Sequence, residues 1–425
     1  MAIKKIRVSN FASFEDMELE LGDFNVLIGP NASGKSNVIR IFKFLRDIGK
    51  SGLENAVSLQ GGVEYLRNLN IGSSENLSIS VVFDEVFGRF GRISKEYSIG
   101  VEIYETTYEF ALKFNKRGVG FKIVNDKLTQ KCNFVRLVEQ EEKFEKKEKL
   151  GKGKIIVYRA NGKVKIDLEK PEKVPIERDD LSPLYFDLFE EHETLEPHTL
   201  LFQTPLLFLP PYLPPFDEIF SDIAIYDFDP RLPKKSTPIT GMAELEEDGH
   251  NLSIVIKNII KSKKKRTKFF NLVQDLLPFI DKLEVEKFTD KSMLFKLREI
   301  YSKKHYLPAF LISDGTINVT ALIIALYFEE KQLTIIEEPE RNIHPALISK
   351  MVDMMKDASK KKQIIVTTHN PEMVKYAGLE NMLLVSRNKE GFSTISRPLD
   401  NEEVRTFLEN EIGIEELYVQ NLLGD

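Results

Sequence analysis

The sequence predicts an α/β fold: a mixed sheet assembled from both ends of the chain, interrupted by an antiparallel β and helical insertion. Three observations predict it. Short apolar runs at Phe24 to Ile28, Leu333 to Ile336, Gln363 to Thr367 and Met382 to Ser386 read as strands buried on both faces. Helical spacing separates the later runs, as in parallel strands joined by crossover helices. Between the two ends, from Leu77 to about Lys170, the pattern changes to alternation broken by turn residues.

Ile3 to Val8 and Met17 to Leu21 read as strands, and Phe24 to Ile28 enters a glycine loop. Asn37 to Arg46 follows with Val38, Ile41, Phe42 and Leu45 at helical spacing. Ser78 to Phe83, Ser98 to Tyr104, Tyr108 to Phe114 and Gly120 to Val124 are expected antiparallel strands, and Asn161-Gly162 is a two-residue hairpin signal. The charged stretch Glu139 to Lys154 predicts a loop or a mobile helix, and Pro171 to Lys235, rich in proline and acid, an irregular lid. Helices are expected at Leu252 to Ile260, Phe269 to Ile280, Thr316 to Glu329 and Pro345 to Ala358. The resulting division is 1–90 and 301–425 for the two parts of the α/β domain and 91–300 for the insertion. Within the insertion, about 91–170 is antiparallel β and about 171–300 is the lid and helices.

Of the 425 residues, 42% are hydrophobic and 30% charged, enough for a sizeable core. A single cysteine, Cys132, excludes an internal disulfide framework and fits a reducing compartment. No apolar stretch of signal-peptide kind opens the chain, and the longest strongly apolar run, Val319 to Phe328, is about half the ~20 residues that cross a bilayer. A cytoplasmic protein without a membrane partner is expected. The net charge of -6 gives no global footprint for nucleic acid, although basic runs stand at Lys143 to Lys154 and Lys257 to Lys268.

The chemistry is carried by a few motifs. Gly29-Pro30-Asn31-Ala32-Ser33-Gly34-Lys35-Ser36 is a glycine-rich phosphate loop between an apolar strand and an amphipathic helix. Backbone N–H groups and the helix N-terminus cradle phosphate, Lys35 reaches the terminal phosphates, and the Ser36 hydroxyl serves Mg²⁺. Leu333 to Ile336 ends in Glu337 and Glu338: the first is placed to hold the metal, the second to polarise an attacking water. Gln363 to Thr367 ends in Thr368 and His369, a histidine placed to contact the γ-phosphate. Ser313-Asp314-Gly315 opens a further helix and forms a second anion cradle, or else a simple N-cap. One chain already has its own cradle, so this one is expected to serve the ATP of another subunit.

In this order the motifs resemble the ABC-type ATPases, more narrowly the SMC/RecF-like branch. IKKIRVSNFASFEDMELEL followed by FNVLIGPNASGKSN, with Asn31 and Asn37, is similar to that branch; ISDGT resembles its signature, with Asp314 in place of glycine. IIEEPERNIHP resembles its Walker B and D-loop, with Glu337 where aspartate is commoner, and TTHNP its switch histidine. The resemblance covers roughly 1–85 and 300–390 and implies ATP and Mg²⁺ as cofactors. It also implies a glutamine that senses γ-phosphate and metal, for which Gln60 is the candidate. ELEEDGHNLSIVI is similar to a stretch in compact ATPases of OLD, PARIS and Septu phage-defence systems; no acidic nuclease cluster follows His369.

The resemblance thus implies an ATP-gated, head-to-head homodimer that senses a trigger and regulates a separately encoded effector, nuclease or toxin-like. The alternative is a RecF/SMC-like DNA-repair clamp that grips nucleic acid itself. A transporter subunit is disfavoured by the long gap between Gly29 and Ser313.

Overall fold

The computed structural model describes residues 2–84, 87–93, 98–116, 120–140, 143–177, 195–203, 220–302, 304–409 and 412–423. The chain divides into two compact units, each built from separate stretches. The first comprises Met1–Leu21, Ser36–Asp222 and Arg387–Ile395; the second comprises Gly22–Lys35, Ile223–Ser386 and Ser396–Asp425.

The first unit is an antiparallel sheet. Its strands are β1 (Ile3–Phe11), β2 (Phe14–Glu20), β4 (Leu77–Phe83), β5 (Phe87–Ile93), β6 (Ser98–Phe114), β7 (Phe121–Gln140), β8 (Lys143–Ala160) and β9 (Lys163–Glu169), in the order β2-β1-β4-β6-β7-β8-β9, with β5 also on β6. Burial in β4 alternates strictly, the signature of a sheet covered on one face. Helix α1 (Lys35–Ser51) buries Val38, Ile41, Phe42, Phe44, Leu45 and Ile48, and α2 (Leu53–Leu59) and α3 (Val63–Leu66) follow it.

Two expectations for this unit are corrected. Ser98 to Tyr104 and Tyr108 to Phe114 are one strand, with a register irregularity between Ile103 and Glu105. The described part of Glu139 to Lys154 is strand, not loop or helix: β7 and β8 pair across it, Leu137 with Lys146 and Gln140 with Lys143. Alternating Lys and Glu concealed the strand, since cross-strand charge pairs such as Arg136–Glu148 and Lys154–Glu169 replace an apolar stripe. Most of the proline-rich LFLPPYLPPFDEIF lies outside the described residues.

The second unit holds the parallel sheet, in the order β10-β15-β16-β3-β17: β10 (Ile223–Tyr226), β15 (Leu333–Glu337), β16 (Gln363–Thr367), β3 (Phe24–Ile28) and β17 (Met382–Arg387). Strand β3 sits between two strands from the far end of the chain, so both ends build one sheet, as the sequence predicts. Its five residues are all buried, because helices cover both faces of such a sheet. Helix α6 (Asp314–Tyr327) is buried on every side from Thr316 to Leu326, which makes the longest apolar run a core helix. Among the described residues no helix is long and apolar enough to cross a membrane.

Helices α4 (Leu252–Lys261), α5 (Lys263–Leu276), α7 (Ile348–Ser359), α8 (Pro371–Ala377), α9 (Glu402–Glu409) and α10 (Ile414–Val419) complete this unit. A small antiparallel sheet joins β11 (Thr237–Pro238), β12 (Ile280–Thr289), β13 (Ser292–Glu299) and β14 (Leu307–Pro308). Two corrections fall here. Phe269 to Ile280 is the end of α5 followed by a turn, and Ile280 opens β12. The stretch read as an irregular lid supplies β10, whose Ile-Ala-Ile-Tyr is fully buried.

Candidate active site

Parallel strands bring their C-terminal ends to one edge of a sheet, the usual place for a site in such folds. Register makes this concrete: Glu337 pairs with Thr367, Thr367 with Leu27, and Tyr226 with Ile336. The loops after β3, β15 and β16 therefore emerge side by side, carrying the phosphate loop, Glu338 and His369.

The phosphate loop turns sharply through Gly29 (φ +145°), Ala32 (φ +62°) and Gly34 (φ +120°). A Cβ on Gly29 would lie 2.1 Å from the Val385 carbonyl oxygen, so only glycine fits against β17. Ser33 is buried, whereas Asn31 and Ala32 are exposed. The Lys35 ammonium donates to the carbonyls of Gly29 (2.7 Å) and Pro30 (3.0 Å). Half-burial lowers its pKa and the Glu338 charge opposes that fall. Ser36 lies in the first turn of α1, and Asn37 donates to the Ser13 hydroxyl at 2.7 Å, so its side chain is occupied within the first unit.

Glu337 closes β15, half-buried. Burial, then the charge of Asp227, raises its carboxyl to about 7, with Arg341 opposing. Glu338 has a left-handed backbone (φ +43°), held by its N–H donating to Thr367 O at 3.0 Å. That turn aims its carboxylate outward, where Oε1 meets His369 Nδ1 at 2.8 Å and Oε2 accepts from Arg341 Nε at 3.2 Å and Nη2 at 2.9 Å. Burial raises its pKa, but Arg341 and His369 outweigh burial and leave it below the ordinary value. His369 is placed by its neighbours: the Thr368 hydroxyl donates to buried Glu340, and Asn370 caps α8 through Glu372 N–H at 2.9 Å.

Ser313 is the N-cap of α6, its hydroxyl accepting from Thr316 N–H at 3.2 Å. Asp314 is ion-paired with Lys234. Gly315 packs so closely on the segment after Glu338 that a Cβ would fall 2.5 Å from Asn342 O. Gln60 ends α2 and accepts from Arg40 Nε at 3.2 Å, inside the first unit.

Three residues of this edge were missed in the sequence. Arg341 grips Glu338, Asp227 accepts from Arg341 Nη1 at 2.9 Å, and Tyr418 on α10 has its hydroxyl within hydrogen-bonding reach of the Gly29 backbone. The run Glu337-Glu338-Pro339-Glu340-Arg341 contains a signal for the first, an arginine three residues after a carboxylate. The other two lie far away in sequence and leave none.

Among the described residues no group of three or more His, Cys, Asp or Glu is arranged to hold a metal alone. Magnesium in phosphate-transfer sites takes one or two protein oxygens, with phosphate and water supplying the rest, so a hydroxyl and a carboxylate are donors of the right kind.

Comparison with known proteins gives three findings. A family profile described as "AAA domain, putative AbiEii toxin, Type IV TA system" matches residues 24–239 and 137–375. The uncharacterized protein MJ1542 of Methanocaldococcus jannaschii is 36% identical over 99 residues, which are 22% of this chain and 12% of that protein. Among solved structures, the chain is similar to an SMC head bound to the C-winged helix domain of ScpA (13% identity, 93% of this chain and 97% of that one, TM-score 0.47). It is also similar to the SMC head domain from Thermotoga maritima (14% identity, 93% and 99%, TM-score 0.41). A third is an SMC head with an extended coiled coil bound to the C-terminal domain of ScpA derived from Pyrococcus furiosus (14% identity, 96% and 99%, TM-score 0.43). The family profile spans more than half of the chain, and the chain belongs to the AAA-domain family described as putative AbiEii toxin of type IV toxin–antitoxin systems.

Proposed function

We propose that the protein is a Mg²⁺-dependent ATPase that works as an ATP-gated head-to-head dimer and controls a separately encoded effector, in the manner of compact phage-defence ATPases. The observation that carries the reading is the common edge of the parallel sheet. There a glycine-forced phosphate loop, the carboxylates Glu337 and Glu338, and His369 in contact with Glu338 are assembled from three strands.

The chemistry follows from those contacts. Lys35, which bonds its own loop carbonyls, exchanges them for the terminal phosphates of ATP, a charge-assisted bond stronger than the neutral one it gives up. Asn31, Ala32, Ser33, Gly34 and Ser36 offer backbone N–H groups to phosphate. The metal would be held by Ser36 and Glu337 and would spread the charge that develops on the phosphates. Glu337, whose carboxyl is raised by burial and by neighbouring carboxylates, would be held in its charged form by such a cation. Glu338 accepts the proton of the attacking water, and His369 orients both the carboxylate and the γ-phosphate. Ser313, Asp314 and Gly315 act on the nucleotide of the partner subunit, so ATP closes the dimer and hydrolysis reopens it.

Sedimentation with ATP tests the dimer. Glu338→Gln should persist as an ATP-bound dimer, and Ser313→Arg should bind ATP as a monomer. A Ser313→Arg variant that dimerises like the native protein would sink the signature assignment.

A second reading, a clamp that grips nucleic acid, is favoured by one observation. The first turn of α5 carries exposed Lys263, Lys264, Lys265 and Arg266 without an acidic residue, and Lys268 lies within electrostatic reach of Lys264 and Lys361. That reading requires salt-sensitive DNA binding that disappears when these four cations are reversed.

A further inference from the structure

Arg341 stands at a junction. Its guanidinium spans two carboxylates, donating through Nη1 to Asp227 at 2.9 Å and through Nε and Nη2 to Glu338 Oε2. Its backbone carbonyl accepts from Asn318 Nδ2 at 2.7 Å, and Asn318 lies one turn into α6, the helix that Ser313 opens. The next residue, Asn342, has the carbonyl against which Gly315 packs. The turn is closed by Arg341 N–H donating to Glu338 O at 3.0 Å.

Asp227 is itself placed by the fold. It directly follows β10, which pairs in parallel with β15, so it stands beside the end of the strand that delivers Glu337. Its N–H donates to Glu247 O at 2.9 Å. A planar guanidinium with several donors can satisfy two carboxylates in a fixed geometry, which a lysine ammonium cannot reproduce. Left with His369 alone, one oxygen of Glu338 would have a partner and the carboxylate could turn about its own axis.

We propose that Arg341, anchored by Asp227 and by Asn318, is the positioning residue that sets the Glu338 carboxylate for attack on ATP and ties that setting to the signature helix. The proposal rests on Glu338 being the base. A shift of the α6 N-terminus, where the partner's nucleotide is read, moves the backbone of Arg341 through Asn318. The guanidinium then carries that movement to Glu338. Misplacing a catalytic group by about 1 Å costs on the order of 100-fold in rate, so a small movement suffices.

The test measures steady-state ATP hydrolysis and binding of a fluorescent ATP analogue for Arg341→Gln, Arg341→Lys, Asp227→Asn and the Asp227→Asn/Arg341→Gln double variant. Arg341→Gln should lower kcat roughly 10- to 100-fold, with KM and analogue affinity within about twofold of native. Arg341→Lys should recover part of that loss, since a point charge keeps one contact. Asp227→Asn should lower kcat less than Arg341→Gln, and the double variant should be no slower than Arg341→Gln alone, because both changes break one chain of contacts. Arg341 is partly exposed, so its variants should fold, and thermal unfolding checks that. A Glu338→Gln control separates the two ideas. If that variant hydrolyses ATP at the native rate, the base assignment has failed. If it is inactive while Arg341→Gln retains or exceeds the native kcat, or if Arg341→Gln changes KM alone, the positioning role is wrong.

Discussion

Two carboxyl groups, one in each unit, are both driven to about 7, and the two units answer that pressure differently. Asp126 in the antiparallel unit is almost wholly buried, and the fold meets its needs: Oδ1 accepts from the Tyr108 hydroxyl at 2.7 Å and Oδ2 from Leu201 N–H at 2.9 Å. Arg159 adds charge while its own guanidinium donates to the carbonyls of Leu195, Glu196 and Thr199. Glu337 in the parallel unit is raised by burial and by neighbouring carboxylates, and no hydrogen bond contributes to its shift. A buried polar group that the protein satisfies holds structure together. One left to an outside cation marks a place where a ligand completes the chemistry.

The comparison breaks most visibly at Lys35. Lys35→Ala should weaken ATP binding on the order of 100-fold or more by removing the charge-assisted phosphate contact, while leaving thermal stability nearly unchanged. Calorimetric titration checks the first part; a large fall in melting temperature would mean that the lysine is structural.

Asp126 supplies the opposite case. Its folded value lies above the ordinary 3.8, so its contribution to stability is full below that pH and is lost as pH rises through about 7. The loss is on the order of 4 kcal/mol before compensation elsewhere. The native protein should therefore lose its stability advantage over Asp126→Asn between about pH 4 and pH 7, followed by melting temperature, while kcat of the folded variant stays near native. A gap that is constant with pH would contradict the assignment.

Gly315→Ala sharpens the contrast from within the parallel-sheet unit. The new Cβ would fall 2.5 Å from Asn342 O, and relief of such a clash costs about 1–3 kcal/mol, a few degrees in melting temperature. The smallest effect is expected at Tyr418, where Tyr418→Phe removes one hydroxyl from the Gly29 backbone and keeps the ring. KM for ATP should rise a few-fold, in line with a single hydrogen bond of about 1 kcal/mol, with kcat unchanged.

Much of this site was legible in the sequence because its parts are local. Gly29, Gly34 and Lys35 lie within one loop, and apolar runs bounded by Glu337 and Thr367 announce buried strands that end at a site. Partnerships between distant segments were not legible. Arg341 meets Asp227 across 114 positions, and β10 is four apolar residues inside a stretch dominated by proline and acid. The antiparallel unit was readable where its strands alternate, as in β4, and misread along the Lys- and Glu-rich β8, which pairs with β7 and sets Glu148 opposite Arg136. Charge pairs support a sheet as well as apolar ones do, but they imitate a solvated loop when read one strand at a time.

The central claim is that Glu338, held by His369 and Arg341, is the base of an ATP-hydrolysing site. Single-turnover phosphate release by Glu338→Gln, with ATP binding measured in parallel, tests it most directly. The account predicts a fall of about 100-fold or more in the rate with ATP affinity retained. Hydrolysis at the native rate would contradict it.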